Sequence, residues 1–184
     1  LGDNIFYGYG LGSQLIENNI LKKGGTIYAY RVSDPERYGV IELSQSGSIL
    51  SIEEKPEKPK SNLAITGLYY YDNSVIERAK LIKPSARGEL EISEINKSYL
   101  KDNLLTARIM SRGSAWMDTG TINSFNSANN FIKTIEERQG LKIGCPEEIS
   151  WRNGWINDNQ LEKIGHELIQ SSYGSYLIKL LKEK

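Results

Sequence analysis

Ser114-Ala115-Trp116-Met117-Asp118-Thr119-Gly120-Thr121 is the stretch on which the reading of this chain turns. It follows a strand-like apolar run at residues 104–110 and precedes a strongly periodic helix at residues 122–139. An acid at a strand-to-helix junction lies at the rim of a sheet, where α/β proteins place their ligands. Gly120 permits a tight backbone turn, and Thr121 can cap the helix that follows. Two readings stand at this point: Asp118 and Thr121 together cap the helix, or Asp118 faces a ligand. A second acid in a similar setting would favour the ligand, and Asp3 stands near the start of the chain.

The 184 residues suffice for one domain with a real core. A hydrophobic content of 39% and a charged content of 25% are those of an ordinary soluble globular protein. The 23 Lys and Arg balance the 23 Asp and Glu, so no global charge draws the chain to nucleic acid or to an anionic membrane. A single cysteine, Cys145, cannot form an internal disulfide, which agrees with a reducing, cytoplasmic setting. No apolar run approaches the roughly 18 residues of a membrane span, and no signal peptide is visible. Leu1-Gly2-Asp3-Asn4 lacks an initiator Met and reads as the end of a buried strand entering a loop, so we expect a fragment of a longer protein.

Past Asp3, residues 5–10 are aromatic and glycine-rich and suit a loop over a cleft. Leu11, Leu15 and Ile16 recur at helical spacing, and Gly24-Gly25 end that element. Residues 26–32 are β-branched and aromatic, a good strand. Residues 38–43 and 49–56 read as a hairpin around Ser46-Gly47, with Glu54-Lys55 at the strand end, where a solvated charge pair is the plain alternative. Gly39 would let a backbone N–H approach a ligand closely. Residues 63–71 form the next strand, with Tyr69, Tyr70 and Tyr71 on alternating faces. Asn73 or Ser74 can cap a short helix through Ile82, and residues 91–100 read as a second helix with acids in its first turn. Arg87, ahead of that turn, is either a plain surface residue or a partner for phosphate, whose oxygens guanidinium matches bidentately. Residues 146–152, 160–168 and 173–181 complete a helical tail, with Trp151, Trp155 and Ile156 apolar enough to pack on the sheet or on another subunit. His166 has no partner ligands nearby, and no Cys/His metal spacing occurs.

Five blocks in this order and spacing carry a resemblance: Leu1-Gly2-Asp3-Asn4, Tyr38-Gly39-Val40, Glu53-Glu54-Lys55-Pro56, Arg87-Gly88-Glu89-Leu90-Glu91-Ile92, and Trp116-Met117-Asp118-Thr119-Gly120-Thr121. Together they resemble the bacterial glucose-1-phosphate thymidylyltransferases of the sugar nucleotidyltransferase superfamily. Lys142-Ile143-Gly144-Cys145-Pro146-Glu147-Glu148-Ile149 is similar to the tail of the same family rather than to that of its uridylyl- or guanylyl-transferring relatives. The departures are Met117 for the usual Leu, Ser93 for Thr and Glu94 for Asp, none of which removes a needed chemical group. The family's preceding segment, with its G-x-G-T-R nucleotide loop, a phosphate-contacting Lys and most of the thymine pocket, is not in this sequence, so the isolated chain is expected to be inactive.

The resemblance implies an α/β, three-layer nucleotide-diphospho-sugar transferase fold with a Rossmann-like mixed sheet, truncated at its N-terminus. Residues 1–140 would form the sugar- and metal-binding part and residues 141–184 a helical regulatory and assembly region. It implies nucleotidyl transfer from dTTP to glucose 1-phosphate, giving dTDP-glucose and pyrophosphate, with Mg²⁺ held by Asp3 and Asp118. That supplies the second acid and turns the reading of Asp118 from cap to ligand. Lys55 and Arg87 match residues on the sugar phosphate and Glu54 a carboxylate that takes sugar hydroxyls. Tyr38, Gly39, Ile65 and Tyr69 line the sugar pocket, and Trp116 walls the cleft. Tyr7, Gly8, Arg112, Lys142, Cys145, Glu148 and Arg152 match a second, regulatory nucleotide site near a subunit interface, with dTDP-rhamnose the implied inhibitor and a homotetramer the implied assembly. A uridylyltransferase, or a non-catalytic sugar-phosphate-binding module, are the alternatives; the acid pair is what a mere binder does not require.

Overall fold

The computed structural model describes residues 2–18, 23–85 and 88–182. Two compact units make up the chain, Leu1–Ser124 and Phe125–Lys184, the division falling near the start of the long helix.

Among its described residues the first unit holds seven strands: β1 (Asn4–Tyr7), β2 (Gly25–Arg31), β3 (Gly39–Leu43), β4 (Ile49–Glu54), β5 (Leu63–Tyr71), β6 (Leu105–Ile109) and β7 (Ala115–Asp118). With them run helices α1 (Leu11–Asn18), α2 (Val75–Leu81) and α3 (Ile92–Lys101). The main sheet has the order β4-β3-β5-β2-β6, with β2 antiparallel to β5 and parallel to β6. Alternation along β2 sends Ile27 and Ala29 to one face, where they meet Ile41, Ile52, Leu63 and Ile65 with Leu100 of α3. Tyr28 points the other way and packs with Ala64, Met110 and Trp116, backed by Phe6 of β1 and by Leu11 and Leu15 of α1. A mixed sheet covered on both faces is the expected α/β architecture.

Residues 5–7 depart from the expected loop, while residues 8–10 keep it. Asn4–Tyr7 is a strand, paired antiparallel to β7 with Asn4 opposite Asp118 and Phe6 opposite Trp116. Its isoleucine and aromatic residues are good strand formers, but the partner that organises them stands more than a hundred residues away. The short helix also differs in its cap. Ser74 holds the N-cap position without a side-chain cap bond. Instead the Asp72 carboxylate accepts from the Ser74 N–H at 3.0 Å and the Gly24 N–H at 2.6 Å.

The long helix α4 (Ile122–Gln139) leads into α5 (Pro146–Arg152), α6 (Asp158–Glu167) and α7 (Ser172–Lys182), close to the tail helices read from sequence. The second unit has its own core of Cys145, Leu161, Tyr176, Leu177 and Leu180, against which Trp151 and Ile156 pack. Trp155 instead stays 73% exposed. An Asn157–Gln160 capping box starts α6. Close packing at α7 depends on Gly174, where a Cβ would stand 2.2 Å from the Leu168 carbonyl oxygen. Among the described residues no helix is long and apolar enough to cross a membrane.

Candidate active site

A cavity of about 380 Å³ in the first unit gathers Asp3, Tyr38, Gly39, Glu54, Lys55, Ile65, Tyr69, Trp116 and Asp118. These are the catalytic, metal and sugar residues read from sequence, with the exception of Arg87, which lies outside the described residues. The β1–β7 pairing creates the acid pair. It sets Asn4 opposite Asp118, so Asp3 comes off the end of β1 beside the end of β7. The Thr119 N–H and Oγ1 both donate to the Asp3 carbonyl, at 2.7 and 3.0 Å, and fix that loop.

The helix cap and the cavity compete for Asp118, and the geometry separates them. Thr121 Oγ1 accepts from the Ser124 N–H at 3.1 Å, so the threonine caps α4. Asp118 Oδ2 instead accepts from the Tyr38 hydroxyl at 2.6 Å, while Oδ1 accepts from the Gly120 N–H at 3.2 Å. Burial, and then the Asp118 carboxylate, push the Tyr38 phenol well above its ordinary range, so it stays a neutral donor. Gly120 leaves room between the two acids: a Cβ there would lie 3.5 Å from Asp118 Oδ1 and 3.8 Å from Asp3 Oδ2. Two carboxylates flanking Gly120 are what a hard divalent cation takes from a protein when substrate oxygens and water complete its shell. No cluster of three or more potential metal ligands occurs among the described residues, and such a shell needs none.

Opposite charge and hydrogen-bonding groups complete the lining. β4 ends at Glu54, as its place at a strand end suggested. Lys55 then takes a left-handed backbone at φ 43°, and its N–H donates to the Tyr38 carbonyl at 3.0 Å. A non-glycine residue held there costs of order 1 kcal/mol or more and is typical of functional loops. The close approach at Gly39 is made by Glu54, whose Oε2 would stand 3.1 Å from a Cβ. Burial, and secondarily the Glu54 charge, raise Tyr69 to about 12, so its phenol is a neutral wall at physiological pH. Trp116 is buried edge-on against Tyr38, ring centroids 5.0 Å apart.

Asn4 was quoted in the first block without a role, and the structure supplies one. Its Oδ1 accepts from Trp116 Nε1 at 2.6 Å and the Gly67 N–H at 3.0 Å, while Nδ2 donates to Asp3 Oδ1 at 2.8 Å. Gly67 is needed there, because a Cβ would come within 2.7 Å of the Asn4 side chain. Arg37, whose Nη2 lies 3.7 Å from Asp118 Oδ2, and Glu91, Ser93 and Asn96 from the start of α3 also line the cavity. Adjacency to Asp3 and to Tyr38 was the available signal for Asn4 and Arg37.

The residues matched to a regulatory nucleotide site fall in both units, and each set stands on local contacts. In the first unit Tyr7 ends β1, Gly8 packs against Ser114, and Arg112 is exposed two residues before that serine. In the second, Lys142 pairs with Glu136 at 2.5 Å, and Arg152 with Glu148 at 2.7 Å. Tyr176 donates to Glu148, and buried Cys145 accepts from the Tyr173 hydroxyl at 3.0 Å.

The chain belongs to the nucleotidyl transferase family, whose profile matches residues 1–135. Within that family it is similar to glucose-1-phosphate thymidylyltransferases. The protein of that name from Neisseria meningitidis is 50% identical over 183 residues, covering 100% of this chain. The one from Mycobacterium tuberculosis is 52% identical over 182 residues, covering 99%. The chain spans 64% and 63% of the lengths of these two relatives. A crystal structure from Bacillus anthracis, designated a glucose-1-phosphate thymidylyltransferase in complex with sucrose, superposes with a TM-score of 0.61 at 45% identity, covering 71% of this chain and 52% of that one. A UDP-glucose pyrophosphorylase complexed with UDP-glucose shares the fold at a TM-score of 0.61 and 23% identity, covering 73% of this chain and 55% of that one.

Proposed function

We propose that the protein containing this chain transfers the thymidylyl group of dTTP to glucose 1-phosphate, releasing pyrophosphate. The observation that carries the reading is the convergence of Asp3 and Asp118 beside Gly120, in the same cavity as Glu54, Lys55 and Tyr69. The names of relatives at 50% and 52% identity support the choice of base and sugar.

A sugar-phosphate oxygen attacks the α-phosphorus in line. The new O–P bond forms as the bond between the α-phosphorus and the bridging oxygen breaks, and the electron pair leaves with pyrophosphate. The attacking oxygen is already ionised, so no side chain need remove a proton, and the protein's tasks are positioning and charge neutralisation. Mg²⁺, when bound, would supply that neutralisation at the α-phosphate, and Asp3 and Asp118 are the residues that would hold it. Lys55 sits where a sugar phosphate needs a cation, and Glu54 accepts hydrogen bonds from sugar hydroxyls. Tyr38 keeps Asp118 turned into the cavity, Asn4 does the same for Asp3, and Trp116 excludes water from one wall.

The test is pyrophosphate release by the whole protein with glucose 1-phosphate, Mg²⁺ and either dTTP or UTP. Turnover that requires the sugar phosphate and prefers dTTP, and that falls by roughly 100-fold or more in Asp118→Asn, is the expected result. Equal rates with UTP would move the assignment to a uridylyltransferase, and no release with either nucleotide would leave a sugar-phosphate binder.

A further inference from the structure

Two polar atoms at the cavity have no place in the chemistry above. Ser93 Oγ and Asn96 Nδ2 are buried and find no hydrogen-bond partner among the described residues. Their side chains belong to residues 1% and 0% exposed, and both residues line the cavity. They stand three apart on α3 and so share one face of it. Buried polar groups in folded proteins are nearly always paired, because desolvating a donor without replacing its partner is costly. An orphaned donor in the wall of a cavity marks where a ligand atom can complete the pairing.

The orientation of Asn96 is fixed from behind. The Tyr71 hydroxyl donates to Asn96 Oδ1 at 2.5 Å. Tyr71 itself is held in a stack between Tyr69, centroids 5.9 Å apart, and Tyr99, centroids 5.3 Å apart. With Oδ1 committed, the other half of the amide offers a neutral N–H donor that seeks an oxygen acceptor. Glu54 and Glu91 line the same cavity and disfavour an anionic group there. A hydroxyl suits both sides, accepting from Nδ2 while its own hydrogen goes to a carboxylate.

We propose that Asn96, oriented by Tyr71, is a specificity-determining residue that donates from Nδ2 to one hydroxyl oxygen of the bound sugar. The proposal rests on the reading of the cavity as a sugar-phosphate site and adds a reader of sugar identity that the acid pair and Lys55 do not provide. A site built to bond a hydroxyl discriminates against the analogue that lacks it, because the protein group is then left unpaired again.

The experiment measures kcat/KM of the whole protein, with dTTP and Mg²⁺, on glucose 1-phosphate and on its 2-, 3-, 4- and 6-deoxy analogues. Wild type, Asn96→Ala and Tyr71→Phe are compared, the last keeping the ring stack and losing only the hydroxyl. We expect wild type to disfavour one analogue by about 10-fold or more. Asn96→Ala should abolish that one preference while leaving the other three analogues discriminated as before, and Tyr71→Phe should weaken the same preference. If Asn96→Ala does not fold, Tyr71→Phe alone decides the matter. Active wild type with the same analogue profile in both variants, or a uniform fall on all five sugars, would overturn the proposal and make Asn96 a packing residue. Wild type inert with glucose 1-phosphate would overturn the functional reading first, and this proposal with it.

Discussion

Tyr38 lies at the centre of the candidate site through two contacts that a sequence does not display. Its ring meets the edge of Trp116, and its hydroxyl bonds Asp118 at 2.6 Å. Tyr38→Phe keeps the first contact and removes the second, leaving Asp118 Oδ2, among the described residues, with the Arg37 guanidinium at 3.7 Å. One hydrogen bond to a charged group is worth about 1.5–3 kcal/mol, so kcat/KM of the whole protein should fall roughly 10- to 100-fold. Since the lost bond orients one of the two acids proposed to hold Mg²⁺, the Mg²⁺ concentration for half-maximal rate should rise with it. A fall in kcat/KM at unchanged Mg²⁺ dependence would place Tyr38 on the sugar instead. At this scale the sequence revealed residue types rather than partners. Asp3, Glu54, Lys55 and Asp118 were singled out only by the ordered set of blocks that resembles a family, since locally a helix cap accounts for Asp118 and a solvated charge pair for Glu54 and Lys55. Asn4 had only its adjacency to Asp3 to mark it, and its role appears when Gly67 and Trp116 are brought against it.

Elements were legible wherever their hydrogen bonds close locally or their periodicity is strong. The hairpin, the long helix and the three tail helices are of this kind, and the structure places them within a few residues of their expected bounds. The β1–β7 ribbon is not, because nothing in Asn4–Tyr7 announces a partner as distant as Ala115–Asp118. Asp72 shows the same limit at a helix start. Its carboxylate accepts from the Gly24 N–H, the Ser74 N–H and hydroxyl, and the Tyr99 hydroxyl, tying β2, α2 and α3 together. Foremost the Gly24 N–H, and then the Ser74 hydroxyl, hold Asp72 well below the usual carboxylate range. A carboxyl whose pKa is lower folded than unfolded stabilises the fold at pH values above its unfolded value and loses that contribution as pH falls toward the folded one. Asp72→Asn should therefore melt lower than wild type at pH 7, by about 5 °C. The gap should narrow below about pH 4, where the unfolded carboxyl takes up a proton. A gap that is constant from pH 7 to pH 3 would mean that the substitution acts through packing and not through the charge.

Over the whole molecule, formal charge balances at 23 against 23, and that balance conceals the character of the site. Asp3, Glu54, Glu91 and Asp118 face the cavity against only Arg37 and Lys55 among its described lining residues. Composition showed no global pull on nucleic acid, yet it could not show an acidic hollow, because the four acids of that hollow come from four separate segments. The tail was similarly half legible: its apolar residues demanded burial, and the structure satisfies most of them with a second core inside Phe125–Lys184. An acidic cavity is a poor receptor for two phosphate-bearing substrates unless a cation offsets its carboxylates, since like charges at such distances repel by several kcal/mol when partly shielded from water. The consequence reaches binding as well as chemistry. Calorimetric titration of the whole protein with glucose 1-phosphate should show affinity falling by about 10-fold or more when EDTA replaces Mg²⁺, and returning when Mg²⁺ is added back in excess. The Asp3→Asn, Asp118→Asn double variant removes two of the four acids and the proposed metal site together, so its affinity should no longer respond to EDTA. Undiminished binding by wild type in EDTA would mean that Lys55 and the remaining cations suffice for the sugar phosphate, confining any role of the acid pair to the nucleotide.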